Sequence, residues 1–254
     1  MITLKNADQL AKMRSAGHLL YDILQSIREV IVAGESTAAV DAYAEERIRR
    51  HGAVPSFLGY QGYPKSICTS IDDEVVHGIP SDDVIITQGS ILSVDCGLIL
   101  DGWQADSAFT IAIGQVSPEK LELIRVTEEC FFAGAKASFE GNRLGDIGHA
   151  VQQLAESHGF GVVRSLTGHG IGRNMHEDPS VPNYGQAGRG SRLKAGMTIA
   201  IEPMITLGDY RIVEMEDGWT IKTADGSACS HYEHTVAITP QGPELLTLPG
   251  YRFE

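Results

Sequence analysis

The sequence predicts an α+β fold of two pseudo-symmetric halves, each running helix, helix, strands. Three observations carry that expectation. Two helical patterns followed by strand patterns fill residues 1–115, and the same order returns in residues 116–254. Both second helices close on the same dipeptide, His51-Gly52 and His158-Gly159. No Pro-, Ser- or Gly-rich linker separates the halves, so residues 1–254 are expected to form a single domain around one composite core.

The first helix is expected over residues 7–32, where Leu10, Met13, Ala16, Leu19, Leu20, Ile23, Ile27 and Ile31 recur at helical spacing before Gly34. Ser36 or Thr37 caps a second helix, which stops at Gly52 after a basic last turn that suits the helix dipole. Short apolar runs at 67–70 and 91–98 read as strands, and Asp101-Gly102 is a hairpin turn into a strand over 103–113. Ser117-Pro118, a cap with a first-turn proline, opens a third helix running to about residue 138, and a fourth covers 144–158. Strands are expected at 162–166, 197–205, 211–215, 219–222 and 232–238, with turns at Asp217-Gly218 and Asp225-Gly226.

Composition narrows the function classes. Twenty Lys and Arg against 33 Asp and Glu give a formal charge of −13, without the clustered cations that stable nucleic-acid binding needs. Cys68, Cys96, Cys130 and Cys229 are far apart with no CxxC, so they read as reduced thiols rather than a zinc knuckle or disulfide framework. The N-terminus lacks the basic-then-apolar pattern of a secretion signal, and no apolar run is long enough to span a bilayer. A cytoplasmic location with no membrane partner is the expectation.

Charge in apolar strands points to the chemistry. Asp95 follows Ile91-Leu92-Ser93-Val94, where a carboxylate is costly unless paired or bound to a cation, and Asp106 has the same problem. A two-residue hairpin at Asp101-Gly102 puts Asp95 diagonal to Asp106 on one sheet face, because an even offset preserves the face. Such a pair either shares a proton or holds a cation. Glu202, after Thr198-Ile199-Ala200-Ile201, and Glu233, in Tyr232-Glu233-His234-Thr235-Val236, are two more acids in apolar strands. His169 lies in Gly168-His169-Gly170-Ile171-Gly172, whose glycines let the backbone approach a site closely.

Taken singly, any of these acids is as well explained by an ion pair. Together, four carboxylates and one neutral imidazole carry about four negative charges, which two divalent ions would cancel. Oxygen-rich ligation suits manganese, iron(II) or cobalt, with zinc or nickel as alternatives. Two such ions activate a water and polarise a carbonyl, so hydrolysis is the leading reaction class. His77 and His176 read equally as loop histidines or functional ones, while the aromatic-rich segment from Phe57 to Pro64 and Trp219 read first as core packing.

Residues 60–70, 75–80, 93–102 with Asp106, 167–179, 196–204 and 232–235 closely resemble the type I methionine aminopeptidases of peptidase family M24 over nearly the whole chain. The resemblance implies the pita-bread fold around a dinuclear metal site. It assigns Asp106 and Glu233 as ligands to both ions, Asp95 to one, and His169 with Glu202 to the other. It further implies Glu202 as proton acceptor, His176 at the scissile amide, His77 on the substrate backbone, and a methionine pocket of Tyr60, Tyr63, Cys68, Met175 and Trp219. Its substrates would be N-terminal Met peptides and nascent chains after deformylation, with small second residues preferred. The implied state is a monomer with transient ribosome contact.

Gln61, Phe57 and Met175 depart from the family's common pocket residues, and Asp72 stands where asparagine is usual, beside a monovalent-cation site the family pattern would imply. Two competing readings differ in class. An X-Pro dipeptidase or aminopeptidase P would share the five ligands but carry a large extra N-terminal domain. A silent peptide- or ribosome-binding relative would have lost ligands, whereas all five remain here.

Overall fold

The computed structural model describes residues 1–253. Helix α1 spans Ala7–Val30 and opens on a capping box: Asn6 Oδ1 accepts from the Gln9 backbone and Gln9 Oε1 from the Asn6 backbone. It ends two residues before the sequence expectation, because Ile31 is already extended and Gly34 turns the chain at φ +96°. Helix α2 spans Thr37–Arg50 with Ser36 as its cap. In the second half, α3 spans Pro118–Lys136 behind the Ser117 cap, and α4 spans Leu144–Ser157. Gly52 and Gly159, at φ +76° and +77°, end α2 and α4 in the same way.

The strands of the first half are β1 (Val54–Pro55), β2 (Ile67–Ile71), β3 (Glu74–Val76), β4 (Ile91–Leu100) and β5 (Trp103–Ala112). Those of the second are β6 (Gly161–Val162), β7 (Gly168–Gly170), β8 (Glu177–Val181), β9 (Thr198–Ile201) and β10 (Met204–Thr206). They continue with β11 (Ile212–Glu214), β12 (Ile221–Thr223), β13 (Cys229–His231), β14 (Glu233–Thr239) and β15 (Gly242–Leu245). A nine-stranded sheet runs in the order β1-β4-β5-β14-β9-β7-β8, with β2 added on β4 and β15 on β14. The junction of β5 with β14 joins the two halves. Two three-stranded sheets, β13-β10-β6 and β11-β12-β3, complete the fold.

Strand alternation separates core from site. Val94, Cys96, Leu98, Ala105 and Phe109 pack with Leu20, Ile23 and Ile27 of α1 in one core cluster. Ile199, Ile201, Val236 and Ile238 pack with Phe131 of α3 and Ile147 of α4 in another. The residues between them, Asp95, Asp106, Ala200, Glu233 and Thr235, therefore face away from the helices.

Several strands differ from the sequence reading. The run at 197–205 is broken at Glu202-Pro203, because proline cannot donate to the ladder, and Met204–Thr206 leaves to pair with β13 and β6. Of the expected 162–166 strand only Val162 pairs, together with Gly161 before it, and β12 begins at Ile221, leaving Trp219 in the preceding turn. Strands β3, β7, β8, β13 and β15 were not marked by alternation: three are three-residue segments, β7 is Gly-His-Gly, and β8 and β15 contain proline.

One close approach anchors α1 to the rest. A methyl group at Gly17 would lie 2.2 Å from the Leu246 carbonyl oxygen, so the helix seats against backbone. Gly17→Ala is expected to destabilise the fold by about 1–3 kcal/mol despite alanine's higher helix propensity, as overpacking exceeds the propensity gain. Urea denaturation checks the sign.

Candidate active site

Five neighbouring strands, in the spatial order β4-β5-β14-β9-β7, each bring one acid or imidazole to the same place. Asp95 comes from β4, Asp106 from β5, Glu233 from the start of β14, Glu202 from just beyond β9, and His169 from the middle of β7. The hairpin at Asp101-Gly102 has both residues at positive φ, +50° and +76°, and sets the register that pairs Asp95 with Ala108 and Gly97 with Asp106. Glu233 also pairs with Ala108, from the other side. Asp95 and Glu233 thus flank one small side chain, with Asp106 two residues along on the same face.

The β5–β14 junction is pinned by side chains. Thr235 Oγ1 donates to the Asp106 carbonyl at 2.9 Å and accepts from the Asp106 N–H at 3.1 Å. Ser107 Oγ donates to the Glu233 carbonyl at 2.7 Å. The glycines beside His169 serve close approach: a methyl at Gly168 would lie 2.3 Å from the Ala200 carbonyl oxygen, and one at Gly170 2.2 Å from that of Asp178.

Electrostatics at the cluster are unbalanced. Asp106 and Glu233 are buried, Asp95 and Glu202 half-buried at the cavity wall. Asp95 Oδ1, Asp106 Oδ1 and Glu233 Oε1 are out of solvent without a hydrogen-bond partner. His169 Nδ1 lies 2.9 Å from the Gly170 carbonyl, which can only accept, so Nδ1 carries the proton. The unprotonated Nε2 then points its lone pair at Glu202 Oε1, 3.6 Å away, and Asp106 Oδ2, 3.9 Å away. Burial, then His176, lowers His169 to about 4, which keeps it neutral.

Lone pairs facing lone pairs in a buried site are reconciled by a cation. Ligand atoms of Asp106, His169 and Glu233 lie within 4.8 Å of one another, and all three residues are buried. The residues fit a divalent ion, with hard oxygen donors dominating the donor set.

Burial also raises all four carboxyls. Asp106 is pushed up to about 7. Glu202 is raised well above its ordinary range by burial and then by Asp106, as is Asp95 by the same two causes. Glu233 is raised likewise.

A cavity of about 230 Å³ opens beside the cluster. Every expected ligand, catalytic histidine and pocket residue reaches it: the five above, His77, His176, Tyr60, Tyr63, Cys68, Met175 and Trp219. The segment that read first as core packing instead forms a cavity wall, since Tyr60, Tyr63, Phe57 and Gln61 all border the space. Trp219 packs edge-on to Tyr63 with ring centroids 5.0 Å apart, and to His77 at 6.4 Å. His77 stands at φ +62° just after β3, which pairs with the β12 strand following Trp219. His176 Nδ1 is 2.7 Å from the Tyr60 hydroxyl, and its ring lies 4.2 Å from that of His169. Burial holds the Cys68 thiol well above its ordinary range, so it contributes a neutral apolar surface.

His231 was not anticipated. It is buried, its Nε2 has no hydrogen-bond partner, and that atom lies 3.8 Å from Glu233 Oε2. Its signal was present in the spacing, two residues before Glu233. Asp72, at φ +52°, sits apart from the cavity: its Oδ1 accepts from the Lys120 ammonium at 2.6 Å and the Ile91 N–H at 3.0 Å.

Comparison with known proteins agrees with the geometry. The sequence pattern of metallopeptidase family M24 matches residues 11–240. A methionine aminopeptidase of Clostridium acetobutylicum is 51% identical over 248 residues, covering 98% of this chain and 99% of that protein. Methionine aminopeptidase 1 of Mycobacterium tuberculosis is 47% identical, covering 96% and 94%. The crystal structure of the Rickettsia prowazekii methionine aminopeptidase superimposes with a TM-score of 0.96 at 41% identity, covering 98% of this chain and all of that one, 100%. An Xaa-Pro dipeptidase from Bacillus anthracis shares the fold alone, with a TM-score of 0.76 at 20% identity, and this chain covers 63% of it.

The raised carboxyls set a pH dependence for metal-free protein. A carboxyl whose folded pKa is raised contributes stability that is full below its unfolded value and is lost as pH rises through the folded one. For Asp106 that window runs from its ordinary 3.8 to about 7. Metal-free protein is therefore expected to melt at lower temperature at pH 8 than at pH 5, and added manganese to raise the midpoint more at pH 8. Thermal unfolding at both pH values, with and without metal, measures this.

Proposed function

The chain belongs to metallopeptidase family M24, and we propose that it is a methionine aminopeptidase that removes the initiator methionine from nascent proteins. The observation that carries the reading is the meeting, in one cavity, of five metal-ligand-type side chains with an apolar pocket and two further histidines. Residues 1–254 act as one catalytic domain in this reading, a monomer touching the ribosome only transiently. The cytoplasm is the proposed compartment; among the described residues no helix is long and apolar enough to cross a membrane.

Asp106 and Glu233 would be shared by two divalent ions, with Asp95 on one ion and His169 and Glu202 on the other. Manganese, iron(II) or cobalt suits the oxygen-rich set, and zinc or nickel are alternatives. Bound there, the ions supply Lewis acidity that polarises the scissile carbonyl and lowers the pKa of water in the site. A monovalent cation is a further proposed occupant near Asp72, whose carboxylate Lys120 already engages.

The remaining chemistry belongs to side chains. Glu202, raised by burial, takes the proton of the attacking water and passes it to the departing amine. Burial lowers His176, keeping it neutral. His176 Nδ1 lies 2.7 Å from the Tyr60 hydroxyl; in this reading that hydroxyl donates to Nδ1, and the proton on Nε2 stabilises negative charge developing on the amide oxygen. His77 contacts the substrate backbone across the cavity. Tyr63, Cys68, Met175 and Trp219, with Tyr60 at the edge, enclose an unbranched thioether, and sulfur against aromatic surface is a favourable match.

A free N-terminal amine is required because acylation removes its lone pair, so a formyl group must leave first. A preference for small second residues belongs to the same reading.

Metal-stripped protein is expected to release methionine from Met-Ala-Ser once a divalent ion is restored, and more slowly from Met-Leu-Ser. Folded protein that releases none with manganese, iron(II), cobalt or zinc contradicts the reading. Asp106→Ala and Glu233→Ala should lose both metal and turnover. His176→Ala should keep its metal while kcat falls about 100- to 1000-fold, the usual loss for an oxyanion donor; elemental analysis beside kinetics separates the two classes.

A further inference from the structure

The N-terminal arm, residues 1–6, touches the loop between β7 and β8 that carries Met175 and His176 into the cavity. Lys5 is only 7% exposed, and its ammonium donates to Glu177 Oε2 and to Thr3 Oγ1, both at 2.8 Å. Thr3 Oγ1 donates to the same Glu177 oxygen at 2.6 Å. The other oxygen, Glu177 Oε1, accepts from the backbone N–H groups of Arg173 at 3.0 Å and Asn174 at 3.2 Å. One carboxylate thus ties both ends of the 173–177 turn and fastens the turn to the arm.

Backbone packing leaves the arm no slack. Lys5 N–H donates to the Gly196 carbonyl at 2.7 Å. A methyl at Gly196 would lie 2.8 Å from the Lys5 carbonyl oxygen, and one at Gly172 2.8 Å from Lys5 Nζ. A buried ammonium is tolerated only when paired in good geometry, so the pair resists displacement in a way an apolar contact would not.

We propose that Lys5 is a positioning residue for the reaction, acting through Glu177 to hold His176 at the scissile amide. The proposal rests on the aminopeptidase reading of His176. No residue of the arm lines the cavity, and the Lys5 side chain is tied to the loop that does through Glu177.

Lys5→Met is made in the parent protein and in His176→Ala, and kcat on Met-Ala-Ser is measured with manganese-loaded enzyme. Hydrogen exchange at the Arg173 and Asn174 amides is followed in parallel. In the parent, Lys5→Met should lower kcat about 10- to 100-fold, the loss typical of a misplaced catalytic group. In the His176→Ala background it should cost almost nothing further, since a residue acting through another is non-additive with it. The Arg173 and Asn174 amides should exchange faster in Lys5→Met, and Lys5→Arg should restore most turnover.

Equal losses in both backgrounds, unchanged kcat, or unchanged exchange would overturn the proposal. Should Lys5→Met fail to fold, Thr3→Val removes one donor to Glu177 from the exposed side and should give a smaller loss of the same non-additive kind. If the parent itself released no methionine, the aminopeptidase reading would fall, while the exchange comparison would still decide whether Lys5 holds the loop.

Discussion

Four carboxylates, Asp95, Asp106, Glu202 and Glu233, share one face of a sheet whose other face is packed by helices, and the organisation of the site follows from the cost of holding them there. Three of their oxygens are buried without hydrogen-bond partners, and the nearest imidazole, His169, offers a lone pair rather than a proton. No Lys or Arg forms an ion pair with any of the four among the described residues. Isolated buried charge of this kind is held in place by surrounding structure and compensated by a bound cation. The surrounding structure is visible: Thr235 and Ser107 lock β14 to β5, and Gly168 and Gly170 bring His169 close to β9 and β8.

Much of this was legible in the sequence because a charge in an apolar strand is conspicuous. The Asp101-Gly102 turn fixed a register by itself, and the observed pairing of Asp95 with Ala108 places it two positions from Asp106 as that turn requires. The helices were legible from caps and periodicity, with α1 shorter only at its C-terminal end. The short strands were not. Segments such as Gly168–Gly170 and Cys229–His231 gain their extended form from neighbours already in the sheet rather than from their own residues.

Cavity walls were legible only through the family resemblance, not from the residues themselves. Phe57, Tyr63 and Trp219 have the composition of core packing, and only tertiary placement distinguishes a ring lining a pocket from one filling a core. His231 escaped for a related reason: a histidine in a short buried segment reads as ordinary packing until Glu233 Oε2 is found 3.8 Å away. The Lys5–Glu177 contact joins residues 172 positions apart, a separation over which no local pattern carries information. Rigid strands thus place the ligand-type residues, whereas His77, Met175, His176 and Trp219 sit on turns fixed by long-range contacts.

The central claim, that the carboxylate face is a site for two divalent cations, is tested most directly by calorimetric titration of manganese into metal-free protein in two buffers of different ionisation heat. The account predicts saturable uptake of two ions per chain with net proton release near neutral pH, because the raised carboxyls must ionise to bind. Folded protein that takes up no manganese, or binds it without releasing protons, would contradict it.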